Sequence, residues 1–310
     1  MALIEIRNLY KSYTPKAKPV VYAVRDVHLS IRRGEILGLV GESGCGKSTL
    51  GKLILKLEQP TQGSVVFDGV DITGYSFNQM RPLRRRMQMV FQGSSQTFNP
   101  SYTLRQILRE PLDNYHAEGG DEKEKWMASM LRKVGLDETY LSRYPHEMSG
   151  GQRQRCGIAR ALMLNPEFVV CDEAVSSVDY AIKNKILKLL VSLKKELSLT
   201  YLFISHDIAA VNRICDRIAV MYLGNLVEIL PNINSSALHP YTQALLAATL
   251  PANPRERKAE LVRFRENEDI PPQGCVFQNR CLYTKSLCQE ARPMLEQKAD
   301  RHFAACHYGL

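Results

Sequence analysis

The run Glu35-Ile-Leu-Gly-Leu-Val-Gly-Glu-Ser-Gly-Cys-Gly-Lys-Ser48 decides the fold. From Ile36 to Val40 it is uninterrupted apolar chain with one glycine, the pattern of a parallel strand covered on both faces. Gly41 to Ser48 then fits G-x-x-x-x-G-K-[ST], and from Ser48 to Leu57 the apolar spacing becomes helical. Strand, glycine-rich loop and helix in that order make a phosphate cradle. Glycines let successive backbone N–H groups turn inward onto phosphate oxygens, and the helix N-terminus adds the positive end of its dipole. Lys47 is placed to neutralise the β- and γ-phosphates and the Ser48 hydroxyl to ligate Mg²⁺. The expected nucleotide contacts are Gly41, Ser43, Gly44, Cys45, Gly46, Lys47, Ser48 and Thr49.

A second apolar run, Phe168-Val-Val-Cys-Asp-Glu173, ends in two carboxylates. Beside a phosphate loop, Asp172 is expected to hold the Mg²⁺ and Glu173 to orient and polarise the attacking water. Strands are further expected at Leu3–Asn8, Val20–Ile31, Ser64–Phe67, Met87–Gln92, Thr200–Ser205 and Arg217–Tyr222. Helices are expected at Leu104–Tyr115, Lys123–Val134, Gln152–Leu164 and Ile182–Leu197. This alternation predicts an α/β protein with a mainly parallel sheet covered on both faces. His116–Lys125, with Gly119-Gly120 and mixed charges, reads as a surface loop inside a helical insertion near residues 93–160. Near Pro251 the composition turns to Pro, Arg and Glu, so Pro251–Pro272 reads as a linker. The expected division is 1–250 and 251–310.

The 310 residues are 45% hydrophobic and 24% charged, a balance that excludes disordered, collagenous and coiled-coil chains. A formal charge of +9 favours anionic partners such as nucleotide phosphates. The basic residues are spread along the chain without interleaved aromatics, so nucleic acid is not expected. No apolar run approaches the ~18–20 residues that span a bilayer, and MALIEIRNLYKSY lacks a secretory hydrophobic core. A soluble, cytoplasmic chain is expected. Of eight cysteines, Cys45, Cys156, Cys171 and Cys215 are scattered through the body as small hydrophobes, whereas Cys275, Cys281, Cys288 and Cys306 crowd the last 36 residues. Four thiolates suffice for a tetrahedral Zn²⁺ or an iron–sulfur cluster, and the spacing x5, x6, x17 lacks the paired C-x₂-C knuckles of structural zinc sites.

Ser149-Gly-Gly-Gln-Arg153, opening an expected helix between the two phosphate-site elements, makes the reading specific. With it the chain resembles the ATP-binding subunits of ABC transporters. That resemblance implies a P-loop nucleotide-binding domain with a RecA-like core, an antiparallel β subdomain and a helical subdomain. It implies that Ser149, Gly150, Gly151 and Gln152 cap the γ-phosphate of ATP held by the opposite subunit. Gln92 matches the Q-loop glutamine that senses Mg²⁺ and γ-phosphate, and Ser176-Ser-Val-Asp179 falls at the D-loop. His206 fits the switch histidine and Tyr13 the ring that stacks on adenine. A Ser hydroxyl and two glycine N–H groups at a helix start form an anion site of their own. If each ATP needs both that site and a phosphate loop, one chain cannot close its own pocket, and a head-to-tail dimer with ATP as the glue follows.

Ala23-Val-Arg-Asp-Val-His-Leu29, the phosphate loop, His239-Pro-Tyr-Thr-Gln-Ala-Leu245 and the cysteine-bearing tail narrow the resemblance to the ATPases of dipeptide, oligopeptide and nickel importers. It is similar above all to the second ATPase of such systems. That implies a paralogous ATPase partner, two transmembrane permease subunits, an extracytoplasmic substrate-binding protein and a place on the cytoplasmic face of the membrane. It also implies a [4Fe–4S] cluster on the tail cysteines, with zinc as the alternative. Metal-chelate cargo, and a non-transport ATPase acting on nucleic acid or ribosomes, are the rival readings. Met148 replaces the family's Leu, Ala174 its Pro, and Gly93-Ser94 its Asp-Pro. None of these removes a catalytic group.

Overall fold

The computed structural model describes residues 1–14, 20–91, 93, 98–115, 119–175, 179–247, 271 and 273–309. In chain order its first elements are β1 (Ala2–Tyr13), β2 (Val21–Arg32), β3 (Ile36–Val40), α1 (Lys47–Ile54), β4 (Gln62–Phe67) and β5 (Val70–Asp71). Then come α2 (Phe77–Arg86), β6 (Met87–Val90), α3 (Leu104–Asn114), α4 (Gly120–Lys133), α5 (Gly150–Leu162), β7 (Phe168–Asp172), α6 (Tyr180–Leu197) and β8 (Thr200–Ile204). The remainder is α7 (Ile208–Ile214), β9 (Arg217–Tyr222), β10 (Asn225–Leu230), α8 (Pro240–Ala247), α9 (Ser286–Glu290), β11 (Glu296–Ala299) and β12 (His302–Ala304).

Two sheets carry the chain. One is antiparallel, in the order β2-β1-β4-β5. The other runs β11-β12-β10-β9-β3-β8-β7-β6, parallel from β9 to β6 and antiparallel beyond β9. Side chains alternate across a strand, so each central strand feeds two cores. Ile36, Val40, Val169, Cys171, Tyr201 and Phe203 face the cluster built on α3, α4, α5 and α6. Leu37, Leu39, Phe168, Val170, Leu202 and Ile204 face α1 and the antiparallel sheet. The unbroken apolar runs in the sequence are the consequence.

One expectation needs correcting. Within His116–Lys125, residues 116–118 lie outside the described residues, but Gly120–Lys125 is the opening of α4 and not loop. Gly119 is its N-cap with extended backbone, and Asp121 and Glu122 in the first turn meet the positive end of the helix dipole. The glycine pair marks a start here, not an interruption.

The C-terminal residues join the main sheet. β12 pairs with β10 through Glu228↔Ala304 and Ile229↔Phe303, and β11 covers β12. Glu228 is fully buried and fastens that junction: Oε1 accepts from the Leu238 N–H at 2.7 Å and meets His302 Nε2 at 2.7 Å, while Oε2 accepts from the His239 N–H at 3.0 Å. Across the sheet, Arg217 donates to both carboxylate oxygens of Glu35 and to the Ser30 carbonyl, joining β9 to the antiparallel sheet. No helix among the described residues is long and apolar enough to cross a membrane.

Candidate active site

The carboxyl ends of β3, β8 and β7 lie side by side, and the predicted residues follow directly from them. In an open parallel sheet this edge is where ligands bind. Gly41 and Gly46 must be glycines. Gly41 has φ +151°, and a Cβ there would stand 2.0 Å from the Met221 carbonyl oxygen. Gly46, the N-cap of α1, has φ +104°, and a Cβ would stand 1.9 Å from the Ala23 carbonyl oxygen. The loop is thus pressed onto β9 and β2, and Gly224 adds a bond from its N–H to the Cys45 carbonyl at 2.9 Å. Lys47 Nζ crosses the loop to the carbonyls of Gly41 and Glu42, each at 2.8 Å. Ser43 and Gly44 are exposed, while Cys45 is buried, which pushes its thiol pKa up.

Ser48 Oγ donates to Asp172 Oδ1 at 2.9 Å, which brings the two expected Mg²⁺ ligands together across 124 residues. Burial raises the Asp172 pKa, the Ser48 bond opposes that, and the neighbouring Glu173 charge adds to it. Glu173 sits at φ +47°, a left-handed conformation that an ordinary side chain adopts at some cost. Its N–H donates to the Ile204 carbonyl, and its Oε1 lies 3.0 Å from His206 Nδ1. Tyr13 ends β1 with an exposed ring under Lys11, and its hydroxyl donates to Glu58 at 2.5 Å. That bond raises the tyrosine pKa.

Ser149 is the N-cap of α5. Its Oγ accepts from the Gln152 N–H at 3.3 Å, Gln152 Oε1 accepts from the Ser149 N–H at 2.8 Å, and Gln152 Nε2 donates to Tyr140 Oη at 2.7 Å. Gly150 stands in open space. A Cβ on Gly151 would come within 2.7 Å of Ile182, whose own N–H is capped by Asp179 Oδ1 at 2.9 Å. The starts of α5 and α6 are thereby locked together. Ser149, Gly151, Gln152, Tyr140, Asp137 and Arg155 line a shallow depression there, separate from the phosphate loop's own bonding network. Gln92, Ser94 and Ser176–Val178 lie outside the described residues.

Cys275, Cys281, Cys288 and Cys306 line one small pocket together with Phe277, Tyr283 and His239. All are free thiols, and Cys275 is pushed up to about 11 by burial and by its neighbouring thiols. Among the described residues no three His, Cys, Asp or Glu side chains converge on a point that could hold one metal ion. His302 is bound to Glu228 and His307 Nε2 lies 2.9 Å from the Ala291 carbonyl, so these bonds aim neither histidine at the thiols. The sequence reading missed Arg280 and Tyr241, both of which contact Glu42 of the loop. Tyr241 falls within the quoted His239–Leu245 stretch, but nothing in that stretch marks its target 199 residues away.

Comparison with known proteins agrees with this geometry. Residues 24–176 match the family model described as ABC transporter, and residues 227–288 match that for the oligopeptide/dipeptide transporter C-terminal region. The chain is 43% identical to the oligopeptide transport ATP-binding protein AppF of Bacillus subtilis, over 98% of this chain and 97% of that one. It is 40% identical to the oligopeptide transport ATP-binding protein OppF of Haemophilus influenzae, over 98% and 96%. Among solved structures, the dimeric post-hydrolysis ATP-binding cassette MJ0796 bound to ADP and Pi superposes with a TM-score of 0.66 at 30% identity, covering 72% of this chain and 96% of that one. The chain belongs to the ABC transporter family of ATP-binding proteins, in the group that carries the oligopeptide/dipeptide transporter C-terminal region.

Proposed function

We propose that this ABC ATPase drives the import of peptides, working on the cytoplasmic face of a membrane with two permease subunits, a paralogous ATPase and an extracytoplasmic substrate-binding protein. The observation that carries this reading is the likeness to oligopeptide transport ATP-binding proteins over the full length, through both the phosphate-loop half and the C-terminal region.

In this reading residues 1–250 are the ATPase domain and 251–310 an extension. Gly41–Thr49 cradle the ATP phosphates, Tyr13 stacks on adenine, and Ser48, Asp172 and Gln92 serve the Mg²⁺. Glu173 polarises the water, and His206, bonded to it, orients Glu173 and meets the γ-phosphate. Ser149–Gln152 and Asp179 complete the site of the opposing subunit. Supporting this is the separation of contacts within one chain: the Ser149 side chain is bonded to its own helix start, while the phosphate loop packs against the Met221 and Ala23 carbonyls and its Cys45 carbonyl accepts from the Gly224 N–H. Two ATPs then close a head-to-tail pair, and hydrolysis reopens it.

The same reading assigns a [4Fe–4S] cluster to Cys275, Cys281, Cys288 and Cys306. What supports the reading is an all-thiol donor set, four cysteines lining one pocket. When bound, such a group supplies a one-electron couple and cross-links a short segment, its binding energy becoming folding energy.

Mild-detergent purification of the chain from its native membranes, with co-purifying proteins identified by mass spectrometry, tests the assembly. Two multi-span proteins and a related ATPase are expected. Ribosomal proteins without a membrane partner would overturn it. Iron and acid-labile sulfide in the anaerobically purified chain test the cluster; their absence, or stoichiometric zinc, would contradict it.

A further inference from the structure

Glu42, the second residue of the phosphate loop, is held from two sides by residues near the other end of the chain. Arg280 Nη1 lies 3.0 Å from each oxygen of its carboxylate, and Tyr241 Oη accepts from its N–H at 3.0 Å. Arg280 directly precedes Cys281, and its guanidinium lies over the rings of Tyr222 and Phe277, at 5.7 and 5.8 Å. Nη1 also donates to Tyr222 Oη at 3.4 Å. The rings of Tyr222, Tyr241 and Phe277 pack on one another at centroid separations of 4.6 to 5.5 Å. That side chain is only 17% exposed, so the pair is far better shielded on the arginine side than a surface ion pair.

The contact reaches the phosphate-binding groups in one further step. The Glu42 carbonyl accepts from Lys47 Nζ, and Glu42 stands between Gly41 and Ser43, whose peptide groups set the direction of the loop's N–H donors. Gly41 is held against the Met221 carbonyl and by Lys47 Nζ on its own carbonyl, whereas Gly44 at φ +77° has nothing within 4 Å of where a Cβ would be. The exposed shoulder Ser43–Gly44 therefore follows directly on a Glu42 that Arg280 and Tyr241 hold from outside the loop.

We infer that Arg280 and Tyr241 are positioning residues for nucleotide binding, which tie the cysteine-bearing segment to the phosphate loop through Glu42. A loop already held in its binding shape loses less freedom when the phosphates arrive, so this tie strengthens nucleotide binding without touching the nucleotide. This rests on reading the loop as the ATP site.

The test is a double-mutant cycle on the full-length chain, titrated with a fluorescent ATP analogue in Mg²⁺. Glu42→Gln and Arg280→Gln are each expected to weaken binding about fivefold, and the double variant also about fivefold, because both remove one shared contact. Arg280→Lys restores part of the loss, since the ammonium keeps the charge but not the forked geometry. Tyr241→Phe, which removes only the hydroxyl, is expected to weaken binding about twofold to threefold and gives a variant that keeps the ring packing. Melting temperatures without nucleotide are read alongside, and the affinity loss is expected to persist in Tyr241→Phe at a melting temperature close to wild type, which a purely structural role would not give. Unchanged affinity in the single variants, or a roughly 25-fold loss in the double, would overturn the inference. Wild-type chain that fails to bind the analogue would instead overturn the ATPase reading.

Discussion

His206 Nδ1 lies 3.0 Å from Glu173 Oε1, although the two residues leave different strands and are 33 positions apart. The parallel pairing of β7 with β8, with Asp172 opposite Ile204, puts them at one sheet edge. The positive φ of Glu173 turns its carboxylate there, directly after the carboxylate that is bonded to Ser48. Glu173, His206 and Asp172 thus occupy one ledge beside the phosphate loop.

Glu173→Gln should lower ATP turnover by at least about a hundredfold while leaving nucleotide affinity within about threefold, because it removes the proposed base and keeps the loop. Single-turnover hydrolysis and equilibrium binding on the same preparation separate the two effects. Turnover at the wild-type rate would remove Glu173 from the role assigned to it.

Removing the Ser48 hydroxyl should act through the metal. Ser48→Ala is expected to raise the Mg²⁺ concentration needed for half-maximal ATPase activity by about tenfold, as one ligand and its bond to Asp172 are lost together. A Mg²⁺ titration at saturating ATP reads this directly, and an unshifted midpoint would count against Ser48 as a ligand.

The Glu228 carboxylate serves donors from β12 and from the start of α8 inside the protein. Glu228→Ala leaves buried N–H groups without an acceptor and should cost about 3–5 kcal/mol, with β11 and β12 released first. Hydrogen exchange should show early loss of protection at Phe303 and Ala304. Protection equal to wild type would mean the junction is held by the β10–β12 ladder alone.

His239 is wholly buried, and burial pushes its pKa down to about 3. Its Nδ1 accepts from the Tyr241 N–H at 3.1 Å, a bond only the unprotonated nitrogen can make. The groups facing it are the Glu228 carboxylate, which takes its backbone N–H, the ring of Phe277 and, across the pocket it lines, the thiols of Cys275, Cys281, Cys288 and Cys306. The folded value lies below the unfolded value near 6.5, so the unfolded chain binds the extra proton between them. The contribution is complete above about pH 6.5 and falls by about 1.4 kcal/mol per pH unit on acidification towards pH 3. Urea unfolding at pH 7.5, 6 and 5 should show this slope in wild type and a shallower one in His239→Gln. Equal slopes would refute the assignment.

Much of the architecture is legible from local pattern. Phe168–Asp172 and Arg217–Tyr222 are strands over the expected residues, because unbroken apolar runs of that length bury both faces of a parallel sheet. α2 escaped because Arg84, Arg85 and Arg86 and the internal Pro82 hide its apolar stripe, although the reciprocal Ser76–Gln79 capping box marks its start. β11 and β12 are short and largely polar or small, and only pairing with β10 makes them strands. The placing of the phosphate loop, Asp172, Glu173 and His206 at one sheet edge, and of Ser149 at a helix start, follows from strand ends and a helix start that the apolar pattern marks. The Arg280–Glu42 contact spans 238 residues and has no local signal, since it exists only once the C-terminal segment has packed on β9 and α8.

The most direct test of the whole account is uptake of a labelled oligopeptide into proteoliposomes holding the complex purified with this chain, its binding protein supplied outside and ATP enclosed. The account predicts uptake that requires ATP and falls to background with Glu173→Gln. ATP-independent uptake, or a complex that hydrolyses ATP but moves no peptide in either form, would contradict it.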